Sequence, residues 1–411
     1  MDIIIHHAPQ AISGEIVLPA SKSISNRALI INALNSSNNP IKNLAHCDDT
    51  DVLLKSLNSK DNHFDIGAAG TAMRFLTAYL ANKPGNWHIT GSERMKQRPI
   101  GILVEALKTL GAEITYPERE GFPPLSIKGK AIEGGDLQLD GSVSSQFISA
   151  LLMIAPTLKK GLNLHLQGKL VSQPYIRMTL EMLRQYGVES VWEGNNISIA
   201  PQTIEPTIYN VESDWSAASY WYAIAALSNN CKIQLPHLYE NSLQGDSQLA
   251  KIYSNLGVKT EFKGGGVILS QSEKNSSQFQ FIYNFESEPD ITQTVVVTCC
   301  ALNKPFRFRG LQTLKIKETN RIEALINECK KIGFLLYEPC EGELAWDGER
   351  CPKDSLPEIA TYKDHRMAMA FAPASLVLGS LKIKDAGVVS KSYPLFWEDL
   401  KSVGFELQQV D

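Results

Sequence analysis

The sequence predicts an α/β protein made of two similar domains, and three observations support this fold class. Amphipathic helical stretches recur along the chain, and each ends in a glycine that is followed at once by an apolar, strand-like run. A second class of helical stretch, apolar on almost every side, recurs at nearly the same interval. The 411 residues are 43% hydrophobic and 20% charged, a mixture typical of a chain that folds around large buried cores.

The amphipathic stretches are predicted to be surface helices that end at a glycine. Successive glycines lie between 70 and 76 residues apart. Because glycine lacks a Cβ, it readily takes the left-handed conformation that ends a helix. The predicted helices and their glycines are 100–110 with Gly111, 175–186 with Gly187, 249–256 with Gly257, 320–332 with Gly333, and 394–403 with Gly404.

The apolar stretches are predicted to be buried helices, since a run such as 223–227 is too apolar for a surface helix. After a first step of 48 residues, their starts are also 70 to 76 residues apart. The chain is therefore interpreted as six copies of one unit, a buried helix, a strand, a surface helix and two strands, divided into two domains of three. An ordinary doubly wound α/β protein with coincidental spacing remains the alternative. The buried helices are predicted to begin near Lys22, Gly70, Ser144, Asp214, Asp290 and Asp364.

Composition and local motifs exclude several classes of function. The net charge of −4 and the pI near 6.1 argue against the broad basic surface of a nucleic-acid binder. The first residues lack a basic region followed by a long apolar run, so we expect a strand there and not a secretory signal. Seven cysteines without a CxxC motif suit a reducing compartment. We therefore expect a soluble, cytoplasmic protein without a metal or other cofactor, and without nucleic-acid or membrane partners.

Polar residues gather at the predicted helix starts. Helix N-termini carry free N–H groups and a partial positive charge, which makes them natural anion sites. Ser or Asp at these positions can be an ordinary N-cap, and this interpretation stays open for Ser144, Ser145, Asp214 and Asp364. Cations there oppose the helix dipole unless an anion is bound, so the pattern predicts small anionic substrates. The cations at or within a turn of such starts are Lys22, Arg27, Arg98, Arg321, Arg366 and Lys391.

Short segments in a fixed order along nearly the whole chain resemble one known family. They are Leu18-Pro19-Ala20-Ser21-Lys22-Ser23, Gly70-Thr71-Ala72-Met73-Arg74, Arg94-Met95-Lys96-Gln97-Arg98-Pro99, Asp140-Gly141-Ser142-Val143-Ser144-Ser145-Gln146-Phe147, Leu170-Val171-Ser172-Gln173-Pro174-Tyr175, Asn241-Ser242-Leu243-Gln244-Gly245-Asp246, Lys317-Glu318-Thr319-Asn320-Arg321, Asp364-His365-Arg366-Met367-Ala368-Met369 and Lys391-Ser392-Tyr393-Pro394. In these segments the chain resembles the enolpyruvyl transferases, and among them the 5-enolpyruvylshikimate-3-phosphate synthases.

The resemblance implies two similar domains, each built from three βαβαββ units with buried helices inside and sheets outside, an inside-out α/β barrel. It also implies a discontinuous C-terminal domain of residues 1–20 plus 212–411 and an inserted N-terminal domain of residues 21–211. The two crossings near residues 20 and 212 would act as a hinge when the domains close around their ligands.

The resemblance further implies the substrates, phosphoenolpyruvate and shikimate 3-phosphate, and the residues that bind them. Phosphoenolpyruvate would be held by cations, with Gly70 and Gln146 against it. The phosphate of shikimate 3-phosphate would be bound by Ser144, Ser145, Ser172 and Tyr175, and its carboxylate by Ser23 and Arg27. Thr71, Lys317 and Asp290 complete the predicted substrate-binding set. The cations expected at phosphoenolpyruvate are Lys22, Arg98, Arg321, Arg366 and Lys391.

The implied chemistry is an addition followed by an elimination, which needs an acid, a base and electrostatic support for a tetrahedral intermediate. Asp290 is the candidate base at the 5-hydroxyl of shikimate 3-phosphate, with Glu318 and Lys22 as proton carriers. Structural alternatives remain: Asp290 as an N-cap after Pro289, and Glu318 as a partner of Arg321. The family resemblance favours a monomer that needs no cofactor.

Some positions depart from the family pattern, and other functions remain open. Ala68, Phe75, Thr313 and Asn320 replace residues that are usual in the family, which leaves substrate affinity and inhibitor response undecided. A sister enzyme that transfers enolpyruvyl to a UDP-amino sugar shares the fold, but it lacks the serine-rich phosphate site predicted here. A non-catalytic binding protein and a nucleic-acid binder are the two further alternatives.

Overall fold

The computed structural model describes residues 1–7, 9, 11–35, 39–272 and 280–410, and the chain forms two compact units. We call Ala20–Val211 the inserted unit. Met1–Pro19 together with Glu212–Asp411 form the second unit, which we call the discontinuous unit. The chain therefore passes from the discontinuous unit into the inserted unit and later returns.

The inserted unit consists of helices and mostly short strands. Its α-helices are Lys22–Leu34, Asp48–Asn58, Gly70–Ala81, Glu93–Lys96, Gly101–Thr109, Ser145–Ile154 and Gln173–Gln185. Its strands are Ile41–Lys42, His63–Asp65, Gly85–Thr90, Glu113–Thr115, Leu125–Gly129, Gly135–Asp140, Leu162–Gln167, Val191–Glu193, Asn196–Ile199 and Tyr209–Asn210.

The discontinuous unit repeats this mixture and adds several 3-10 turns. Its α-helices are Trp215–Leu227, Leu249–Ser254, Thr292–Ala301, Arg321–Lys331, His365–Phe371, Ser375–Leu378 and Phe396–Ser402. Its strands are Asp2–His7, Ala11–Glu15, Asn230–Pro236, Val258–Lys263, Gly266–Gln271, Phe281–Asn284, Phe306–Arg309, Leu344–Trp346, Glu358–Ile359, Leu381–Ile383 and Glu406–Val410. The turns used below are Gly245–Gln248, Pro289–Ile291 and Ala386–Lys391.

The four-stranded sheets of both units share one strand order, a parallel pair followed by two strands that each pair antiparallel with their neighbour. His63–Asp65, for example, pairs in parallel with Gly85–Thr90. Parallel neighbours need a crossover connection, and the helix Gly70–Ala81 supplies it. Gly85–Thr90 then pairs antiparallel with Leu125–Gly129, whose other edge binds Glu113–Thr115. This pattern is the βαβαββ unit, and it confirms the predicted fold class.

The first strand of the chain completes the last sheet of the discontinuous unit. Asp2–His7 lies between Leu381–Ile383 and Glu406–Val410 and is antiparallel to both. Ile3 and Ile5 point into the core. The predicted N-terminal strand is therefore confirmed, and the two ends of the chain meet in one sheet.

The predicted buried helices form the core of each unit. In Thr292–Ala301 every residue is buried, and in Trp215–Leu227 every residue except Ser216 is buried. Within the inserted unit, the helices that begin at Lys22, Gly70 and Ser145 contact one another. Among the described residues, no helix is both long enough and apolar enough to cross a membrane.

The glycines that follow the surface helices take the predicted left-handed conformation. Their φ angles are positive, from 78° at Gly187 to 107° at Gly111. The prediction holds because a C-cap depends on local backbone geometry, which the sequence spacing reveals directly.

Candidate active site

Arg321 lies at the centre of a cluster of charged side chains in the discontinuous unit. Its side chain is 2% exposed. Nε donates to Asp364 Oδ2 at 2.7 Å, Nη1 to Asp290 Oδ1 at 3.2 Å, and Nη2 to Glu318 Oε2 at 2.9 Å. Burial disfavours the charged form, but the three carboxylates outweigh this effect and raise the pKa of Arg321. The guanidinium therefore stays charged although it is almost completely buried.

The two candidate proton-transfer carboxylates each connect Arg321 to further cations. Asp290 Oδ2 lies 3.2 Å from Arg366 Nη2, and its Oδ1 lies 3.5 Å from Lys317 Nζ. Glu318 Oε1 accepts a hydrogen bond from Lys391 Nζ at 2.7 Å. Burial is the main cause that lowers the pKa of Lys317. We call Asp290, Lys317, Glu318, Arg321, Asp364, Arg366 and Lys391 the Arg321 cluster.

Asp290 is not the N-cap of the helix that follows it. Asp290 lies in the 3-10 turn Pro289–Ile291, and Ile291 occupies the N-cap position of Thr292–Ala301. The alternative interpretation of Asp290 as the N-cap is therefore wrong. The alternative for Glu318 is correct in part, since Glu318 does pair with Arg321, but it also binds Lys391.

Asp364 belongs to the cluster, although the sequence pattern predicts it only as a helix start or N-cap. Its Oδ1 accepts from the backbone N–H of Arg366 at 3.0 Å, which caps the helix His365–Phe371. The same carboxylate bonds Arg321 and is fully buried. The segment Asp364-His365-Arg366 contains a local indication of this role. An acidic residue that caps a buried helix next to a cation needs an oppositely charged partner.

Lys391 reaches the cluster from a different position than expected. It is the last residue of the 3-10 turn Ala386–Lys391, and the next α-helix begins only at Phe396. The prediction that Lys391 lies within a turn of a helix start is therefore wrong. The turn still brings its ammonium group to Glu318.

In the inserted unit, Arg98 packs against the start of a helix at Gly70. A Cβ added at Gly70 would lie 2.7 Å from Arg98 Nη1, so only glycine leaves room for the guanidinium. Gly70 is the first residue of Gly70–Ala81, where the backbone N–H groups have no partners within the helix. The next residue, Thr71, accepts a hydrogen bond from Gln146 Nε2 at 3.2 Å. These groups together offer an anion both positive charge and N–H donors.

Arg27 is a buried link between predicted site segments. It is 2% exposed, and burial is the main cause that lowers its pKa to about 10. Nη1 donates to the carbonyl of Ser23 at 2.9 Å and Nη2 to that of Tyr175 at 3.4 Å. Arg27 also lies over the ring of Phe75, with its Cζ 5.4 Å from the ring centroid. Its predicted contact with a substrate carboxylate stays a prediction.

The serines predicted to bind phosphate lie at the starts of two helices that contact each other, Ser145–Ile154 and Gln173–Gln185. Ser144 is the N-cap of the first and accepts from Gln146 N at 3.4 Å, so its cap interpretation is confirmed. Ser172 precedes the second in a left-handed conformation, with φ 53°.

Lys22, at the start of Lys22–Leu34, pairs with a carboxylate that sequence reasoning missed. Its Nζ lies 3.1 Å from Asp49 Oδ2, and Asp49 is buried. In the part of the chain that the structure describes, no group of three or more His, Cys, Asp or Glu side chains could hold a metal ion.

The strand order and the buried helices define an α/β protein with the enolpyruvyl transferase fold. Two solved structures of EPSP synthase from Acinetobacter baumannii share this fold, with TM-scores of 0.79 and 0.78. They are 21% and 20% identical in sequence, and each comparison covers 100% of both chains.

Sequence comparisons identify the family within this class. The model of the family EPSP synthase (3-phosphoshikimate 1-carboxyvinyltransferase) matches residues 6–59 and 52–400. A 3-phosphoshikimate 1-carboxyvinyltransferase from Bacteroides fragilis is 53% identical over 403 residues, which is 98% of each chain. One from Sulfurovum sp. is 36% identical over 426 residues, covering 95% of this chain and 97% of the relative. The chain belongs to the EPSP synthase family.

Proposed function

We propose that the charged residues described above carry out, in this chain, the reaction of its family. That reaction transfers the enolpyruvyl group of phosphoenolpyruvate to the 5-hydroxyl of shikimate 3-phosphate and releases phosphate. It belongs to the shikimate pathway, which leads to chorismate and the aromatic amino acids. The observation that carries the residue assignment is the Arg321 cluster, in which two carboxylates lie among cations that can bind substrate anions.

Phosphoenolpyruvate carries a phosphate and a carboxylate, and we assign both groups to cations. In the discontinuous unit these are Arg321, Arg366 and Lys391. The inserted unit contributes Lys22 and Arg98, and the N–H groups at the helix start near Gly70 support the assignment of Arg98. Ion pairs of buried guanidinium groups with phosphate are strong because little water screens them.

We assign the phosphate and the carboxylate of shikimate 3-phosphate to residues of the inserted unit. The starts of the helices at Ser144 and Ser172 would bind its phosphate, together with Ser145 and Tyr175. Ser23 would bind its carboxylate with Arg27, since the hydrogen bond from Arg27 to the Ser23 carbonyl places both residues together.

The carboxylates of the cluster would carry the protons. The proton of the attacking 5-hydroxyl goes to Asp290, while the methylene carbon of phosphoenolpyruvate receives a proton from Glu318 or Lys22. Phosphate then leaves the tetrahedral intermediate, and the methyl group returns a proton to Glu318 or Lys22 as the carbon–carbon double bond forms again. Substrate anions would compete with Asp290 and Glu318 for Arg321, Arg366 and Lys391, so binding would free these carboxylates for proton transfer.

Phosphate release tests this function directly. The purified protein with phosphoenolpyruvate and shikimate 3-phosphate should release phosphate, whereas each substrate alone should give none. A UDP-amino sugar in place of shikimate 3-phosphate is the control for the sister reaction. Release with the UDP-amino sugar alone as acceptor would contradict the proposal.

The resemblance also supports a monomer in the cytoplasm, and we include both in the proposal. Sedimentation equilibrium with and without the two substrates tests the oligomeric state. A dimer that persists at low protein concentration would contradict the proposed monomer.

A further inference from the structure

Arg366 makes a second polar contact that the proposed function does not use. Besides its ion pair with Asp290, Nη2 donates to Ser216 Oγ at 3.3 Å. The hydroxyl of Ser216 in turn donates to Asp246 Oδ2. Ser216 is the second residue of the helix Trp215–Leu227, and Asp246 lies in the 3-10 turn Gly245–Gln248. A continuous series of contacts thus joins Asp246, Ser216, Arg366 and Asp290.

The environment of Asp246 is unusual for a carboxylate. Asp246 is 4% exposed, and none of the described residues gives its Oδ1 a hydrogen bond. Among the described residues, the charged groups that act on it most strongly include the acids Asp290, Asp214 and Glu288 and the cation Arg366. Burial first, and then the charge of Asp290, raise the pKa of Asp246 to about 7.

The neighbouring acid Glu288 strengthens this effect. Glu288 is also buried, and its only partner among the described side chains is the hydroxyl of Tyr283, which lies 3.4 Å from Oε2. Burial, and next the charge of Asp246, raise the pKa of Glu288 to about 7. Asp246 and Glu288 are both buried and repel each other when ionised, and the neighbouring positive charge is too small to stabilise two negative charges. Near neutral pH one of the two carboxyl groups therefore readily holds a proton.

An anion that binds Arg366 changes this balance. It adds negative charge beside Asp246 and competes with Asp246 and Asp290 for the cation that they share. Both effects favour the protonated form of Asp246. By linkage, a proton that binds better in the complex also makes the anion bind better.

We propose that Asp246 is a positioning residue that holds Arg366 through Ser216 and takes up a proton when phosphoenolpyruvate binds this arginine. The proton moves from bulk water to Asp246 Oδ1, and no other bond changes. The inference rests on the proposed function, since it assigns Arg366 to phosphoenolpyruvate.

The substitution Asp246→Asn tests the proton uptake, because the amide keeps the shape of the carboxyl group but cannot ionise. For each protein we compare kcat/KM for phosphoenolpyruvate across the pH range. The ratio of the wild-type value to the Asp246→Asn value should fall as the pH rises through neutrality. The fall should be about threefold to tenfold between about pH 6 and pH 8.5, equivalent to a pKa change of about half to one unit on binding. Titration of the substrate phosphate affects both proteins equally and cancels in this ratio.

Asp347→Asn is the matched control in the same unit. Asp347 also accepts a hydrogen bond from a hydroxyl group, that of Tyr337, but this pair lies on the surface. Its pH profile should superimpose on that of the wild type. An Asp246→Asn profile that also superimposes on the wild type would overturn the proton uptake.

Ser216 provides a second test that does not depend on the folding of an Asp246 variant. Ser216→Ala removes the contact between Asp246 and Arg366, so KM for phosphoenolpyruvate should rise about tenfold. The KM for shikimate 3-phosphate should stay unchanged, and Ser216→Thr, which keeps the hydroxyl, should restore the lower KM. An unchanged KM in Ser216→Ala would overturn the positioning role.

The outcomes separate this inference from the function on which it rests. If the wild type releases no phosphate from the two substrates, the proposed function fails. If the wild type is active while Asp246→Asn and Ser216→Ala behave like Asp347→Asn, the function stands and only the inference fails.

Discussion

Asp290 shows how one residue can oppose substrate binding and still serve the reaction. Its carboxylate is bound to Arg321, Arg366 and Lys317, of which the two arginines are assigned to phosphoenolpyruvate. A substrate anion must therefore replace Asp290 as their partner. Once replaced, the carboxylate has lost the ion pairs that make it a weak base.

The substitution Asp290→Asn should consequently lower both KM for phosphoenolpyruvate and kcat, so the variant binds this substrate more tightly but turns over more slowly. Loss of the competing charge should lower KM for phosphoenolpyruvate, whereas loss of the base should lower kcat more than about a hundredfold, or about 3 kcal/mol of transition-state stabilisation. Steady-state kinetics with both substrates measure the two effects, and Asp347→Asn serves again as the control. A kcat within about threefold of the wild type would remove Asp290 from its role as base.

The substitution Gly70→Ala, which adds a single carbon atom, tests the proposed anion site of the inserted unit. In Gly70→Ala the new Cβ would meet Arg98 Nη1 at 2.7 Å, so the guanidinium must move. We expect KM for phosphoenolpyruvate to rise about tenfold, the loss of one charge-assisted hydrogen bond. Gly387→Ala is the matched control, because its added Cβ would meet open space. Equal KM values for the two variants would contradict the assigned contact between Arg98 and the substrate.

Sequence reasoning found the cations of the site better than their partners. Lys22, Arg321 and Arg366 could be found because helix starts with cations form a local pattern. The pairing of Arg321 with Asp364 and that of Lys22 with Asp49 could not be found in this way. Asp364 is far from Arg321 in sequence, as Asp49 is from Lys22, and only the folded chain brings each pair together.

At the scale of the elements, the sequence predicts those helices and turns that depend on neighbouring residues, and it does not predict those that depend on contacts with distant parts of the chain. The glycine C-caps and the buried helices follow from short patterns, and both predictions are confirmed. The two-residue strands Ile41–Lys42 and Tyr209–Asn210 follow from no such pattern, since they exist only because they pair with each other. The 3-10 turns that carry Asp290 and Lys391 likewise depend on packing and were not predicted.

The helix His365–Phe371 offers a test of how a cap and an ion pair combine. In Asp364→Asn the amide can still cap the helix, because Asn is as good an N-cap as Asp. The buried Arg321 would lose a charged partner, which should lower the free energy of unfolding by about 3 kcal/mol. Chemical denaturation measures this change.

Asp214→Asn is the comparison for that experiment. Asp214 caps the buried helix Trp215–Leu227 by accepting from Ala217 N at 3.1 Å, so the same substitution there retains a good cap. We expect a loss below about 1 kcal/mol. If both variants lost equal stability, the ion pair with Arg321 would not be the cause.

At the scale of the whole molecule, the first strand joins the two ends of the chain. The sequence alone predicts a strand at residues 1–7, but it does not show which sheet this strand enters. The pairing of Asp2–His7 with Leu381–Ile383 spans nearly the entire chain, and contacts of such length leave no periodic trace in the sequence. Only the family resemblance pointed to the C-terminal half.

The alternation of this strand allows a matched test of its contribution to stability. Ile5 is fully buried, whereas its neighbour Ile4 points to the other face and is partly exposed. Ile5→Ala should lower the free energy of unfolding by about 3 kcal/mol, because it leaves a cavity in the core of the discontinuous unit. Ile4→Ala removes the same atoms from the same strand and should cost below about 1 kcal/mol. Urea denaturation followed by tryptophan fluorescence measures both, and the discontinuous unit contributes the fully buried Trp215, Trp221 and Trp346 to this signal. Equal losses would mean that the strand stabilises the unit through its backbone pairing alone and not through the side chains that it buries.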